Sequence, residues 1–260
     1  MSQIPASAQA KLDRAKDHFN ILHAQIEGTL KPSAYKVIPK PNADFTQYHF
    51  HLKFSRPLPV ERWGLIFGDG MHCLRSALDH CVYSIGVKES GADPPTDESA
   101  LMFPITPDEL GWRDKKWHVR SLSEDAQAAI KRLQPHDSPD PYGMRPLGGL
   151  DEIDIADKHR ALTVLLILPV FTRSDISGAI PGQKFQVLHN RAPIKEDTPF
   201  STVNFDRPTP NVKVRHSLAF QPGTPRIRHE GEVIAAFLWD AINKSTAEVN
   251  RVLNELSNFC

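Results

Sequence analysis

The stretch from Val60 to Val87 constrains this chain more than any other, because it is long, lacks proline and has two unlike faces. At about 100° per residue, its apolar side chains fall on one side of a helix. These are Leu74, Ala77, Leu78, Cys81 and Ile85. The opposite arc carries Asp69, His72, Ser76, Asp79 and His80, with Arg75 at its edge. Because these polar types move protons and hold anions, we predict a central helix over 60–87 whose polar arc forms the functional site.

Two glycines, Gly68 and Gly70, lie inside this predicted helix. Each costs about 1 kcal/mol relative to alanine in a helix interior. Two explanations follow. Either the helix breaks there, or the glycines permit another backbone to approach closely around Asp69.

Hydrophobic periodicity assigns most of the remaining chain. Apolar positions at three- and four-residue spacing predict helices, which lie near 6–30, 60–87, 147–163 and 230–259. Alternation with a period of two predicts β-rich portions near 34–55 and 166–220. The short strands between proline and glycine breaks favour antiparallel pairing. We therefore predict an α+β fold in a single domain over 1–260, with a bundle of about four main helices and an inserted, mostly antiparallel β-rich portion.

The charge balance limits what the chain as a whole can attract. Among 260 residues, Lys plus Arg and Asp plus Glu both total 31, so the formal net charge is zero. No global field draws the chain onto nucleic acid or anionic membrane, and any polyanion must bind locally. The N-terminus lacks the apolar core of a signal peptide, and the longest apolar run, Ala161 to Phe171, is too short to span a bilayer. These features predict a cytoplasmic protein without membrane contact.

The chain has three cysteines, Cys73, Cys81 and Cys260. Cys73 and Cys81 are about 12 Å apart by helical rise alone, beyond disulfide reach. No Cys-x-x-Cys pair suggests zinc. We expect Cys73 and Cys81 to be reduced core residues.

A basic segment, Asp114 to Arg120, has the sequence DKKWHVR with an aromatic residue inside it. Such a segment could rest on phosphate and stack a base. The alternative is a solvated loop, which this composition favours.

The central helix contains an Arg and a His with four residues between them, Arg75-Ser76-Ala77-Leu78-Asp79-His80. This spacing resembles the Arg-x4–6-His signature of the HEPN superfamily, helical-bundle proteins that include metal-independent ribonuclease toxins and abortive-infection proteins. The phrase GDGMHCLRSALDHCVY, together with DKHR at Asp157 to Arg160, also resembles a group of uncharacterised bacterial proteins. The position after the Arg is commonly Asn, Asp or His in the superfamily, and here it is Ser76.

The HEPN resemblance implies RNA cleavage without metal or other cofactor, in a toxin or phage-defence setting. The ribose 2′-OH would attack the adjacent phosphate and leave a cyclic phosphate. Arg75 would neutralise the phosphate, His80 would transfer a proton, and Asp79 would orient the surroundings of His80. Assistance would come from the second motif, namely Lys158, His159 and Arg160.

A homodimer is a condition of this hypothesis. Five residues rotate a helix by roughly 140°, so Arg75 and His80 do not lie on one line. They converge on one phosphate only in a groove between helices or across a two-fold axis. A separate antitoxin protein is a further expected partner.

Two alternatives use the same residues differently. In the first, Asp69, His72, Asp79 and His80 bind a divalent metal completed by Asp157 or His159, which would make a metal-dependent hydrolase or oxidoreductase. In the second, Arg75 pairs with Asp79 at i, i+4, and Lys158 or Arg160 neutralises Asp69 or Asp79 across the helix interface. The protein would then be a non-catalytic binding or scaffolding module.

Overall fold

Helices and antiparallel sheets both contribute to this chain, which confirms the predicted α+β class. The computed structural model describes residues 3–95, 97–135, 146–159, 166–190, 192–195, 197–227 and 233–260. The helices are α1 (Ala6–Thr29), α2 (Val60–Ser90), α3 (Glu109–Lys115), α4 (Glu124–Arg132), α5 (Pro146–His159) and α6 (Leu238–Leu256). Short 3₁₀ turns occur at Pro32–Ala34, Glu98–Ala100 and Lys116–Val119. None of the helices in the described ranges is both long and apolar enough to cross a membrane.

The strands form two antiparallel sheets. They are β1 (Tyr35–Pro41), β2 (Gln47–Phe54), β3 (Leu166–Ser177), β4 (Phe185–His189), β5 (Ser201–Phe205), β6 (Lys213–Ile227) and β7 (Val233–Phe237). One sheet has the order β1-β2-β5-β4 and the other has the order β3-β6-β7. Every pair of neighbouring strands in the described ranges is antiparallel, as the sequence pattern predicted.

The chain divides into two compact units. Unit 1 comprises residues 1–23, 64–163 and 239–260, and unit 2 comprises residues 24–63 and 164–238. Each unit is therefore assembled from separate stretches of sequence. The single domain over 1–260 stays a prediction.

The core of unit 1 is built on the apolar face of α2. Phe67, Met71, Leu74, Leu78 and Ile85 of that helix have no exposed surface. Burial of each such side chain contributes about 2 kcal/mol. The N-terminal part of α1 and one face of α6 complete this core. The buried residues of α1 are Leu12, Ala15, Phe19 and Leu22, and those of α6 are Val249, Val252, Leu253 and Leu256.

The two glycines of α2 meet side chains rather than another backbone. The helix runs unbroken from Val60 to Ser90, which excludes a break at the glycines, the first of the two explanations. A Cβ atom on Gly70 would overlap the ring of Phe19 from α1. A Cβ atom on Gly68 would overlap the carboxyl group of Asp157 from α5. The glycines thus allow close packing of α2 against α1 and α5.

The last helix is shorter than its sequence pattern predicts. Residues 233–237 form β7 and pair with β6, and α6 begins only at Leu238. Helical periodicity cannot detect this strand, because pairing with β6 decides its conformation. The third predicted helix, near 147–163, is observed as Pro146–His159, and its remaining residues lie outside the described ranges.

The core of unit 2 lies between its two sheets. Tyr48, Phe50, Leu52, Phe200, Val203 and Phe205 form a buried cluster. Ile176 of β3 and Val214 of β6 pack against that cluster, so both sheets contribute an apolar face.

Candidate functional site

Arg75 is buried and bonded on three sides. Its Nη1 donates to Oδ1 of Asp79 at 2.6 Å, which confirms the pair expected at i, i+4. Its Nη2 donates to the backbone oxygen of Phe103 at 2.8 Å, and its Nε lies 3.6 Å from Oδ1 of Asp151 on α5. Only 9% of Arg75 is exposed. The guanidinium therefore joins α2, α5 and the segment at Phe103 within unit 1.

Asp79 completes this Arg75 network from the same helix. Its Oδ1 also accepts the backbone N–H of Phe103 at 2.9 Å. Removal of the Arg75 charge from this network would leave two partly buried carboxylates without their cation. The geometry is that of a structural connection between three chain segments.

Asp151 is the member of the network that sequence analysis missed. Burial raises the pKa of Asp151, and the charges of Arg75 and Lys115 oppose that rise. Lys115 belongs to the basic segment, where its Nζ donates to the backbone oxygen of Ile105 at 3.0 Å. The basic segment is thus partly built into unit 1, although Trp117 within it is exposed.

A second group of polar residues joins α2 and α5 and is more open. His72 Nδ1 lies 2.8 Å from Oδ1 of Asp154, and Lys158 Nζ donates to the other oxygen of Asp154 at 2.7 Å. The Asp154 side chain is only 6% exposed, whereas 45% of the His72 side chain faces solvent. A buried carboxylate that holds one nitrogen of an exposed imidazole fixes the ring and leaves its other nitrogen accessible. This arrangement is that of a histidine positioned for proton transfer.

Asp157 lies beside this His72 group. Its Oδ1 is buried without a hydrogen-bond partner in the described part of the chain. Burial raises the pKa of Asp157, and the charges of Asp69 and Asp154 raise it further. A carboxyl group with a raised pKa can donate a proton at higher pH than an ordinary aspartate. The polar cluster thus contains a carboxyl group with a raised pKa as well as a histidine.

His80 lies apart from Arg75. No described hydrogen bond or ion pair joins these two residues. His80 is half-buried, and burial together with the positive charge of Lys11 lowers its pKa. Ser76 is also half-buried, and Asp69 is exposed.

The structure brings the predicted site residues into two groups rather than one. Arg75 and Asp79 belong to the buried network, and His72, Asp157 and Lys158 to the open cluster with Asp69 nearby. Lys158 pairs with Asp154 of its own helix, not with Asp69 or Asp79 as the scaffold alternative expected. The His159 side chain and all of Arg160 lie outside what the structure describes.

Sequence analysis assigned no site role to Asp151 or Asp154. Their signal was present, because Asp151, Asp154 and Lys158 recur at i, i+3 and i+7 and share one face of α5. For the metal alternative, the described residues contain no group of three ligands placed to hold an ion.

The fold and these two groups define an α+β protein with a histidine–carboxylate pair that joins α2 to α5. The sequence matches no protein-family model and no curated protein, and the structure matches no solved structure.

Proposed function

We propose that this protein is a metal-independent ribonuclease whose proton-transfer residue is His72, positioned by Asp154. The observation that carries the proposal is the 2.8 Å contact between Nδ1 of a half-exposed imidazole and a buried carboxylate. The substrate class follows from the HEPN resemblance of the α2 motif. In this proposal the helices of unit 1 correspond to the helical bundle of that superfamily.

His72 acts as the general base. Asp154 accepts a hydrogen bond from Nδ1–H, so the accessible Nε2 carries the lone pair. Nε2 removes the proton from a ribose 2′-OH as its oxygen attacks the adjacent phosphorus. Asp154 does not touch the substrate and is a positioning residue.

Asp157 acts as the general acid. Its raised pKa keeps the protonated form available at higher pH than in an ordinary aspartate, and this form can pass its proton to the departing 5′-oxygen. The products are a 2′,3′-cyclic phosphate and a 5′-hydroxyl, and no water or metal takes part in this step. A base and an acid from neighbouring turns of α2 and α5 thereby share one phosphate.

Lys158 supplies the positive charge near the phosphate. Its side chain is 43% exposed while its ammonium group balances Asp154, which leaves room for an anion to approach. Arg75 and Asp79 hold α2, α5 and the Phe103 segment in register and so preserve the spacing of the acid and the base. The exposed carboxylate of Asp69 repels phosphate and disfavours polyanions that do not engage Lys158.

His80 requires a second chain in this proposal. It lies eight residues from His72 on α2, about 12 Å along the helix axis, too far to share one phosphodiester. Across a homodimer, each His80 would approach the site of the other copy. The toxin or phage-defence setting and the antitoxin partner remain part of the proposal through the same resemblance.

The test is cleavage of labelled total RNA by purified protein in excess EDTA, compared with folded variants of the cluster. We expect His72→Gln and Asp157→Asn each to slow cleavage about 10²-fold or more, the usual contribution of a general acid or base. His189→Gln in unit 2 is the matched control and should cleave like the wild type. Analysis of product ends should show cyclic phosphate.

If Arg75→Ala and His80→Ala lost cleavage while His72→Gln kept full activity, the result would indicate that Arg75 and His80 form the catalytic site. Cleavage abolished by EDTA would contradict the metal-independent step. The absence of cleavage in every RNA class would favour the second candidate.

The second candidate function is a non-catalytic binding or scaffolding module. The Arg75 network favours it, since burial of Arg75 against Asp79, Asp151 and the Phe103 oxygen is typical of a group that specifies packing. In that case His72→Gln would change neither the cleavage of RNA nor the stability of the protein. Only binding of a partner protein would then reveal the function.

A further inference from the structure

Two cysteines distant in sequence meet within unit 1. Sγ of Cys81 on α2 lies 3.6 Å from Sγ of Cys260, which follows α6, and all three cysteines are free thiols. A disulfide bond needs a sulfur separation of about 2.05 Å, so a small shift of the half-exposed Cys260 would close it. Cys73, the third cysteine, has no described sulfur contact.

We propose that Cys81 and Cys260 form a reversible oxidation site, in which a hydroperoxide converts the thiol pair into a disulfide that joins α2 to the segment after α6. This inference is independent of the proposed ribonuclease activity. The oxidant must be small enough to reach the Cys260 sulfur, which is half-exposed, since Cys81 is buried. A hydroperoxide meets this requirement.

The surroundings distinguish the two thiols. The contact between the Cys81 and Cys260 sulfurs, together with burial, raises the pKa of Cys81. The same contact lowers the pKa of Cys260, and the positive charge of Lys88 adds to this. The Lys88 ammonium is held nearby because its Nζ donates to the backbone oxygen of Cys260 at 2.7 Å. Cys260 is therefore the attacking thiolate and Cys81 the resolving thiol.

The chemistry balances in two steps. The Cys260 thiolate attacks one oxygen of hydrogen peroxide; an S–O bond forms, the O–O bond breaks, and the departing hydroxide takes a proton to become water. The Cys81 sulfur then attacks the Cys260 sulfenic acid; an S–S bond forms, the S–O bond breaks, and a second water leaves with the Cys81 proton. The two thiols supply the two electrons that reduce the peroxide.

The test begins with fully reduced protein treated with hydrogen peroxide, then alkylated and mapped by mass spectrometry. We expect a peptide pair joined through Cys81 and Cys260, an alkylated Cys73, and complete reversal by dithiothreitol. Cys73→Ser is the matched control and should form the same link. The oxidised protein should melt at a higher temperature than the reduced protein, because the link closes a long loop in the unfolded chain.

Two further variants test the roles of Cys260 and Lys88 and leave the buried Cys81 unchanged. Cys260→Ser changes a half-exposed position and should leave Cys81 unlinked after peroxide treatment. Lys88→Gln should slow disulfide formation, since it removes the charge that favours the Cys260 thiolate. A Cys260 that reaches sulfinic acid without linking to Cys81, or a link that involves Cys73 in the wild type, would overturn the proposal.

Discussion

Gly68 of α2 leaves the space that the carboxyl group of Asp157 on α5 occupies. No other residue at position 68 permits this approach, because a Cβ atom there would overlap the carboxyl oxygens. The glycine lowers the helix propensity of α2 by about 1 kcal/mol, yet the helix is continuous. The observed geometry thus places an acidic group against a helix at a cost in intrinsic stability, as functional sites often do.

Gly68→Ala is expected to separate stability from activity. The new methyl group displaces the Asp157 carboxyl toward solvent, which relieves its burial, while alanine favours the helix. The midpoint of urea unfolding should stay equal to that of the wild type or rise, and RNA cleavage should fall. Gly70→Ala is the contrast, since its methyl group overlaps the buried Phe19 ring and should destabilise by about 1–3 kcal/mol. If the Gly68→Ala variant cleaved RNA normally, Asp157 would have no part in the reaction.

Asp157→Asn should stabilise the protein at pH 7 by a pH-dependent amount. Because the folded pKa of Asp157 is raised above 3.8, the folded state binds this proton more tightly than the unfolded state does. The stability that protonation contributes is present below pH 3.8 and is lost as pH rises through the folded pKa. The neutral amide avoids that loss, so the variant gains on the order of 1 kcal/mol or less at pH 7, a small value because the group is partly exposed.

The check on Asp157→Asn is the difference in unfolding free energy between variant and wild type, measured from pH 7 to pH 4. The difference should shrink as the pH falls. A constant difference, or a variant less stable than the wild type at pH 7, would contradict the prediction. Either result would mean that favourable interactions of the Asp157 carboxylate outweigh the destabilisation caused by burial and by the charges of Asp69 and Asp154.

Arg75→Ala should destabilise the protein by about 3–5 kcal/mol, because Asp79 and Asp151 would be left partly buried without their cation. The matched control is Arg251→Ala on α6. Arg251 also pairs with two carboxylates, Glu248 and Glu255, at 2.6 and 2.7 Å, but its side chain is 43% exposed. That variant should lose about 1 kcal/mol or less. Urea unfolding of both proteins measures the contrast, and equal losses would show that burial does not set the strength of the Arg75 network.

The local sequence pattern predicted those features of the fold and the site that depend on a single helix or strand. The three- and four-residue spacing located α1, and helix geometry alone paired Arg75 with Asp79. The contact of His72 with Asp154 was not predictable, because it depends on the register of α5 against α2. That register is set by tertiary packing, including the space at Gly68.

Residues 233–237 illustrate the same limit on a larger scale. Their apolar character suits a helix or a strand, and they form β7 because β6 offers a partner edge. The burial of Arg75 was also invisible in the sequence, since an arginine at the edge of a polar arc is compatible with solvent, a ligand or a neighbouring helix. Only the positions of Phe103 and Asp151 determine which of these surrounds it.

In unit 2, His216 should make stability fall as the pH decreases. Its ring lies 4.4 Å from the ring of Phe50 and 5.3 Å from that of Phe200, measured between centroids. Nδ1 is 3.0 Å from the Ser174 hydroxyl, and Nε2 is buried without a described partner. Burial, with a smaller effect of His189, lowers the pKa of His216 to about 4.

The sign follows from proton uptake by the unfolded chain. Between about pH 6.5 and pH 4 the unfolded histidine binds a proton that the folded one does not, so stability decreases as pH falls through this window. The expected loss is about 1–2 kcal/mol after allowance for partial exposure. His216→Phe keeps an aromatic ring between Phe50 and Phe200 but cannot titrate, and its stability should vary less over the same window. His189→Gln is the control and should retain most of the slope. Unfolding free energies of the three proteins from pH 7 to pH 4 provide the test, and identical slopes for wild type and His216→Phe would rule out His216 as the source.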